Sequence, residues 1–241
     1  MDINQSIRQA VQRNNTLLRH SFFIATKSSD EHDIFKAWLV RDAEFEGEYE
    51  LPVLKPCYQK PNGAIPFDKA SSSGINNQWL HFYIDDRRFE CLWNNPMAYF
   101  NRLKQYEGII SPDFSVYRDM PFAIQVWNTY RNRAPAYWMQ SNGMNVIPNI
   151  RWGDERTYGF CFDGISKYST VAVSTNGCIQ SREDKKYFKR GLIEMLNRLE
   201  PKTVINYSST PDDIFFPCKD HGAEVLQIDN YNNAIRKKVL L

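Results

Sequence analysis

The sequence predicts an α/β protein with a mainly parallel sheet of repeated βα units, laid out as an incomplete or irregular (β/α) barrel with an N-terminal helical extension. Three observations lead there. From Trp79 onward, short runs rich in β-branched and aromatic residues alternate with helical periodicity at intervals of about 20 to 40 residues, the pattern of βαβ units. Including the earlier run LPVLKP (51–56), seven such strands can be drawn, which favours a barrel layout over an open doubly wound sheet. The carboxyl ends of these strands collect acids, arginines and hydroxyls, and that is where ligands bind in parallel α/β folds.

The elements are justified in chain order. Residues 4–19 carry Ile7, Ala10, Val11, Leu17 and Leu18 between Arg8, Arg13 and Arg19, a basic amphipathic helix that packs on the domain or serves as a partner arm. Residues 1–33 are therefore expected as an extension and 34–241 as a single α/β domain. From Lys36 to Pro56 apolar and polar residues alternate, which predicts short strands, and Cys57 to Asn77 reads as a long loop. The further strands expected are 79–85, 108–111, 145–150, 170–175, 203–208 and 224–228. A helix is expected over Arg182–Leu199, with Phe188, Leu192, Met195, Leu196 and Leu199 as its apolar stripe, Ser181 as cap and Pro201 as stop. Another runs from about Pro121 to Gln140, where Pro135 should kink or split it.

Bulk properties narrow the function classes. The 241 residues can bury a real core, and 42% hydrophobic with 24% charged residues is ordinary for a globular protein. A net charge of +2 supplies no global attraction to nucleic acid or anionic membrane, so such contact needs a local patch. Apolar runs are all far shorter than the roughly 20 residues a spanning helix needs. The N-terminus has no apolar secretory core. A cytoplasmic location without a membrane partner is expected. Five cysteines, widely spaced and without a CxxC pair, are expected as free thiols.

The strand ends hold the candidate site. Asp85, Asp86, Arg87 and Arg88 follow WLHFYI; Asp113 follows GIISP; Arg151, Trp152, Asp154 and Glu155 follow NVIPNI; Ser174, Thr175, Asn176, Gly177 and Cys178 follow TVAV. Strand ends are also where Asp, Ser and Thr cap helices, so the cluster carries more information than any member. Within SPDFSVYRDMP, Asp119 is read as the cap of the next helix and Asp113 as the site acid. Alternation puts His81, Tyr83 and Asp85 on one face, where His81 is a satisfied core residue or part of a polar barrel lining. Cys178 is a nucleophile near a helix start or an inert thiol. General catalytic motifs and paired metal-binding cysteines do not occur.

The pieces IDD with RFE and LWNNP, SPDFS-x-YRDMP, WNTYR-x-R, NVIP-x-RWGDE, FDGI with VAVST-x-GC, and KTVINYSSTPDDIF carry a resemblance. From Trp79 to about Phe215 the chain resembles a family of unknown function found on bacterial phages, plasmids and integrated mobile elements, with a looser likeness back to FEGEYELPVLKP. Pro135 departs from that pattern, so Arg131 and Arg133 can be placed differently here. The resemblance implies a mobile-element context and transfers no catalytic role.

Two function classes remain. The first is an enzyme, a hydrolase or phosphotransferase acting on a nucleotide or nucleic acid. Asp85, Asp113, Asp154 and Glu155 would be metal ligands or acid/base groups, with Mg or Mn as the metal. Arg118 and Arg151 would hold phosphate, and Tyr83, Trp152, Ser174 and Thr175 would complete the substrate site. A sugar hydrolase using the same carboxylates is a variant. The second class is a non-catalytic module binding DNA or a phage or host protein, through Trp127, Tyr130, Arg131, Arg133 and the basic N-terminal helix.

Overall fold

The runs TVAVS and TVINY have no polar-out face, and such strands are stable only when both faces are covered. In the computed structural model, which describes residues 35–70, 76–231, 233 and 236, both are strands buried at every position. The chain divides into two compact units, Met1–Ala43 and Glu44–Leu241. In the first, the described residues form a 3-10 turn, Ala37–Val40, where the alternation predicted a strand. Lys36 enters this turn at φ 54°, a left-handed step that no strand accommodates. The expected helix over residues 4–19 lies outside the described residues.

The second unit opens with a hairpin, β1 (Phe45–Glu46) and β2 (Leu51–Pro52), paired antiparallel. Every other described ladder is parallel. A four-stranded sheet holds β3 (Ala64–Pro66), β4 (Asn76–His81), β5 (Tyr106–Ile110) and β6 (Val146–Ile147), in that order. A three-stranded sheet holds β7 (Thr170–Ser174), β8 (Thr203–Tyr207) and β9 (Glu224–Ile228), again in order. A parallel bridge between Asn149 and Ala172 joins the two, with Ile150 N–H donating to Ala172 O at 2.8 Å. Strand order thus follows chain order throughout.

Two expectations are corrected. LPVLKP is no member of the parallel sheet: its Leu51–Pro52 pairs back on Phe45–Glu46 instead. The first parallel strand is β3, inside the segment read as loop, followed by a 3-10 turn at Phe67–Lys69. Three residues ending in a proline carry no readable period. They become a strand because Ala64, Ile65 and Pro66 meet Trp79, Leu80 and His81, on an edge where the missing proline N–H costs nothing.

Helices fill the crossovers. Between β4 and β5 lie α1 (Glu90–Asn94) and α2 (Pro96–Leu103), the latter capped by Asn95. The long α3 (Phe122–Ser141) precedes β6 and runs without a break through Pro135. A 3-10 stretch, Glu155–Gly159, stands where a helix would link β6 to β7. Next come α4 (Arg182–Leu199) and α5 (Asp212–Asp220). The α4 expectation holds in detail. Ser181 and Asp184 form a reciprocal capping box, Glu200 closes the helix in the left-handed conformation, and the predicted apolar stripe is buried. The inward faces of both sheets meet in one cluster with Trp79, Tyr83, Ile110, Ile147, Ala172, Ile205 and Tyr207. No described helix is long and apolar enough to cross a membrane, and all five cysteines are free thiols.

Candidate functional site

Strands that run parallel and in order deliver all their carboxyl ends to one side, and a cleft of about 1520 Å³ opens there. Its floor is a buried ion pair. Asp113, three residues past β5, is 5% exposed. Arg151, beyond β6, donates from Nε to Asp113 Oδ1 at 2.9 Å and from Nη2 to Oδ2. The bidentate fork matches guanidinium to carboxylate. Asn149, fully buried, holds the acid from the other side: its Nδ2 donates to Asp113 Oδ1 at 2.7 Å, while its Oδ1 accepts from the Tyr83 hydroxyl at 3.1 Å. Burial pushes the Asp113 carboxyl up, and Arg151 and Asn149 oppose it. Burial pushes Arg151 down, but the charge and hydrogen bonds of Asp113, together with the neighbouring Cys178 and Tyr83, hold the guanidinium well above its ordinary value. The guanidinium keeps its proton, so the pair is ionic.

One wall of the cleft is the loop after β7. Ser174 Oγ accepts from Asn176 N–H at 3.1 Å, and Cys178 N–H closes a turn onto Thr175 O at 3.1 Å, with Gly177 at φ 74° supplying the left-handed step. Cys178 lines the cleft, and Arg151 Nη1 donates to its sulfur. Another wall is Trp152, packed on Phe188 of α4 at 5.2 Å between ring centroids. A Cβ on Gly191 would collide with the Trp152 indole, so this approach requires glycine. Arg118 sits over the Tyr187 ring at 4.2 Å and donates to Asp184 at 2.7 Å.

The family model for a domain of unknown function, DUF4417, matches residues 43–228 of this chain. The chain belongs to that family. The match reaches beyond the Trp79–Phe215 region that carries the sequence resemblance. The chain is similar to the Gene 1 protein of Mycobacterium phage D29, 36% identical over 197 residues, which is 79% of this chain and 70% of that protein. It is also similar to the Gene 1 protein of Mycobacterium phage L5, 37% identical over 202 residues, 81% of this chain and 85% of that protein. No solved structure matches.

Within this DUF4417 domain, Asp85, Asp113, Asp154, Tyr83, Arg118, Arg151, Trp152 and Ser174 all line the cleft, whereas Glu155 and Thr175 are not among its lining residues. Glu155 is exposed and pairs with Arg190 of α4 at 2.7 Å. Thr175 is buried, its hydroxyl donating to Ser209 O at 2.6 Å. Asp154 caps the 3-10 stretch and forks onto Arg156, whose hydrogen bonds hold its carboxyl below the usual range. Asp85 is exposed and meets Arg87 at 3.5 Å. Asp119 is exposed and does not cap α3, whose N-cap is Pro121 without a side-chain bond. Among the described residues no three His, Cys, Asp or Glu side chains group to hold a metal ion. Both arginines read as part of a nucleic-acid or partner surface are engaged within the fold. Arg131 pairs with Glu90 through 2.9 Å contacts to both oxygens, and Arg133 is 1% exposed.

Sequence reasoning missed Asn149 and gave no role to Asp86, a strand-end residue that accepts from both the N–H and the hydroxyl of Ser115 at 3.0 and 2.9 Å. The signal for Asn149 was an asparagine inside the apolar run NVIPNI, a position that burial tolerates only with full hydrogen bonding.

Beneath the floor, His81 is completely buried between Tyr207 and Tyr83, with centroids at 4.2 and 5.5 Å. Its Nδ1 accepts from Tyr83 N–H at 3.1 Å, and Nε2 has no partner among the described residues. Burial pushes its pKa down to about 3, so the folded protein holds the imidazole neutral while an unfolded chain protonates it below about 6.5. This term is therefore fully stabilising above about 6.5 and is lost as pH falls toward 3. Asp163 works oppositely, since burial and the nearby Glu46 raise it to about 6. The observable is the difference between wild type and His81→Asn: urea midpoints at about pH 4.5 and about pH 7 should show wild type losing about 2–3 kcal/mol more than the variant. Parallel curves would refute the buried neutral imidazole.

Proposed function

We propose that this protein is an enzyme of a phage or related mobile element, acting in the cytoplasm at the strand-end cleft. It hydrolyses or transfers a phosphoryl group of a small, nucleotide-sized substrate. The observation that carries the reading is the buried Asp113–Arg151 pair on the cleft floor. Burying two charges costs several kcal/mol of desolvation per ion, and apolar packing of similar volume would serve stability as well. A pair kept where ligands bind is a candidate for function. Among the described contacts, Asp113 and Cys178 engage three of the five guanidinium N–H groups of Arg151, leaving two for a substrate oxygen.

The cleft's charge argues for a small substrate over a polymer. Eight carboxylates and five cationic side chains line it among the described residues, a balance that repels a nucleic-acid backbone but leaves Arg151 and Arg118 for one phosphate group. With no metal donors grouped among the described residues, the phosphoryl charge is assigned to these arginines rather than to Mg or Mn. The architecture is read as an incomplete (β/α) barrel. Open doubly wound sheets reverse their strand order, which this one does not, and Lys60 near β3 pairs with Glu224 of β9 at 2.5 Å.

Calorimetric titration with nucleoside mono-, di- and triphosphates and sugar phosphates tests the reading. At least one should bind, and Arg151→Gln, checked for folding by circular dichroism, should bind it at least about tenfold more weakly, about 1.4 kcal/mol. Binding by none of them, or equal binding by the variant, would overturn it.

A further inference from the structure

We infer that Cys178 is the nucleophile of this cleft, attacking the phosphoryl group of a phosphate monoester while Arg151 balances the charge on sulfur and on the transferred group. The inference rests on the phosphoryl reading of the site given above and names its reacting atom.

The five thiols are not equivalent. Cys57, Cys161 and Cys218 are buried, and burial pushes Cys218 up to about 12 and Cys161 higher still. Cys91 is half-buried and hydrogen-bonded to the Tyr99 hydroxyl. Cys178 is half-buried like Cys91 and differs from all four in place and contact: it lines the cleft, and it touches a guanidinium. Its S–H is directed at Asn176 O at 3.5 Å, while the sulfur accepts from Arg151 Nη1. A thiolate is the reactive form, and a cation in contact stabilises it. Asp113 occupies the Nε and Nη2 edge of the same guanidinium, so one cation serves two acids and fixes their separation. Asn149 and Tyr83 hold Asp113 in turn. The reacting group is thus placed by strand ends rather than by a mobile side chain.

The step balances with water as the co-reactant. The thiol proton leaves to solvent, sulfur attacks phosphorus, and an S–P bond forms as the ester O–P bond breaks. The alkoxide departs with that electron pair and takes a proton from water. A second water then cleaves the S–P bond, releasing inorganic phosphate and restoring the thiol.

Two probes test this on the full chain. With iodoacetamide near neutral pH and peptide mass spectrometry, Cys178 should label at least about tenfold faster than the other four thiols, and Arg151→Lys should slow it at least about tenfold. With p-nitrophenyl phosphate, a rapid quench should trap one phosphoryl group on Cys178, and Cys178→Ser should release no p-nitrophenol above background. Labelling of Cys178 no faster than Cys91, or wild-type hydrolysis by Cys178→Ser, would overturn the inference. Slow labelling in a protein that still binds a nucleotide through Arg151 overturns the nucleophile and leaves the binding reading standing. Fast labelling without any phosphoryl adduct overturns the phosphoryl assignment instead.

Discussion

Asp113→Ala should destabilise the protein by about 3–5 kcal/mol, the cost of leaving a buried charge without its partner. The substitution strips Arg151 of two of its hydrogen bonds and Asn149 of its shortest, at a position that is 5% exposed. Asp113→Asn keeps the shape and one acceptor, so it should lose less while still removing the negative charge that Arg151 balances. Urea unfolding of both variants, with circular dichroism as readout, checks the order: alanine below asparagine below wild type. Loss of under about 1 kcal/mol in Asp113→Ala would mean that the pair is solvated and not a buried centre.

Arg133→Met should cost about 4 kcal/mol although the residue touches no cleft atom. Its guanidinium donates to the carbonyls of Asn149 at 3.0 Å, Cys161 at 2.7 Å and Asp163 at 3.4 Å, tying α3 to the end of β6 and to the loop before β7. Methionine fills a similar volume but leaves those three carbonyls unpaired, and a buried unsatisfied acceptor costs about 1–3 kcal/mol. Arg133→Lys retains charge but not the fork, so it should recover only part of the loss. Because Asn149 holds Asp113, the variant should also loosen the pair on the floor. If Arg133→Met melts with wild type, the three carbonyls find other partners and Arg133 is not the tie described.

These two residues mark where sequence reading succeeds and where it stops. Asp113 was legible because a proline and an acid follow the apolar run GIIS within two residues, and a parallel strand must end before such a break. Arg133 was misread as a surface group because its spacing on the helix says which face it occupies but not what covers that face. Asp119 had the right type and place for a cap, yet α3 starts after Pro121 and leaves it outside. Glu155 sits one residue from Asp154, and the 3-10 stretch turns it outward to Arg190.

The sequence by itself determined the α/β class, most of the parallel strands, α4 with its Ser181 cap and its end before Pro201, and the side of the sheet on which polar chemistry gathers. All of these follow from local period, capping and strand-end composition, which act over a few residues. Tertiary structure alone decided that Ala64–Pro66 rather than LPVLKP begins the parallel series, since a three-residue strand exists only through its partner β4. It alone brought Asp113, Asn149, Arg151 and Cys178 together, because contacts between residues 27 to 38 positions apart depend on how β5, β6 and β7 lie side by side, which no local period encodes.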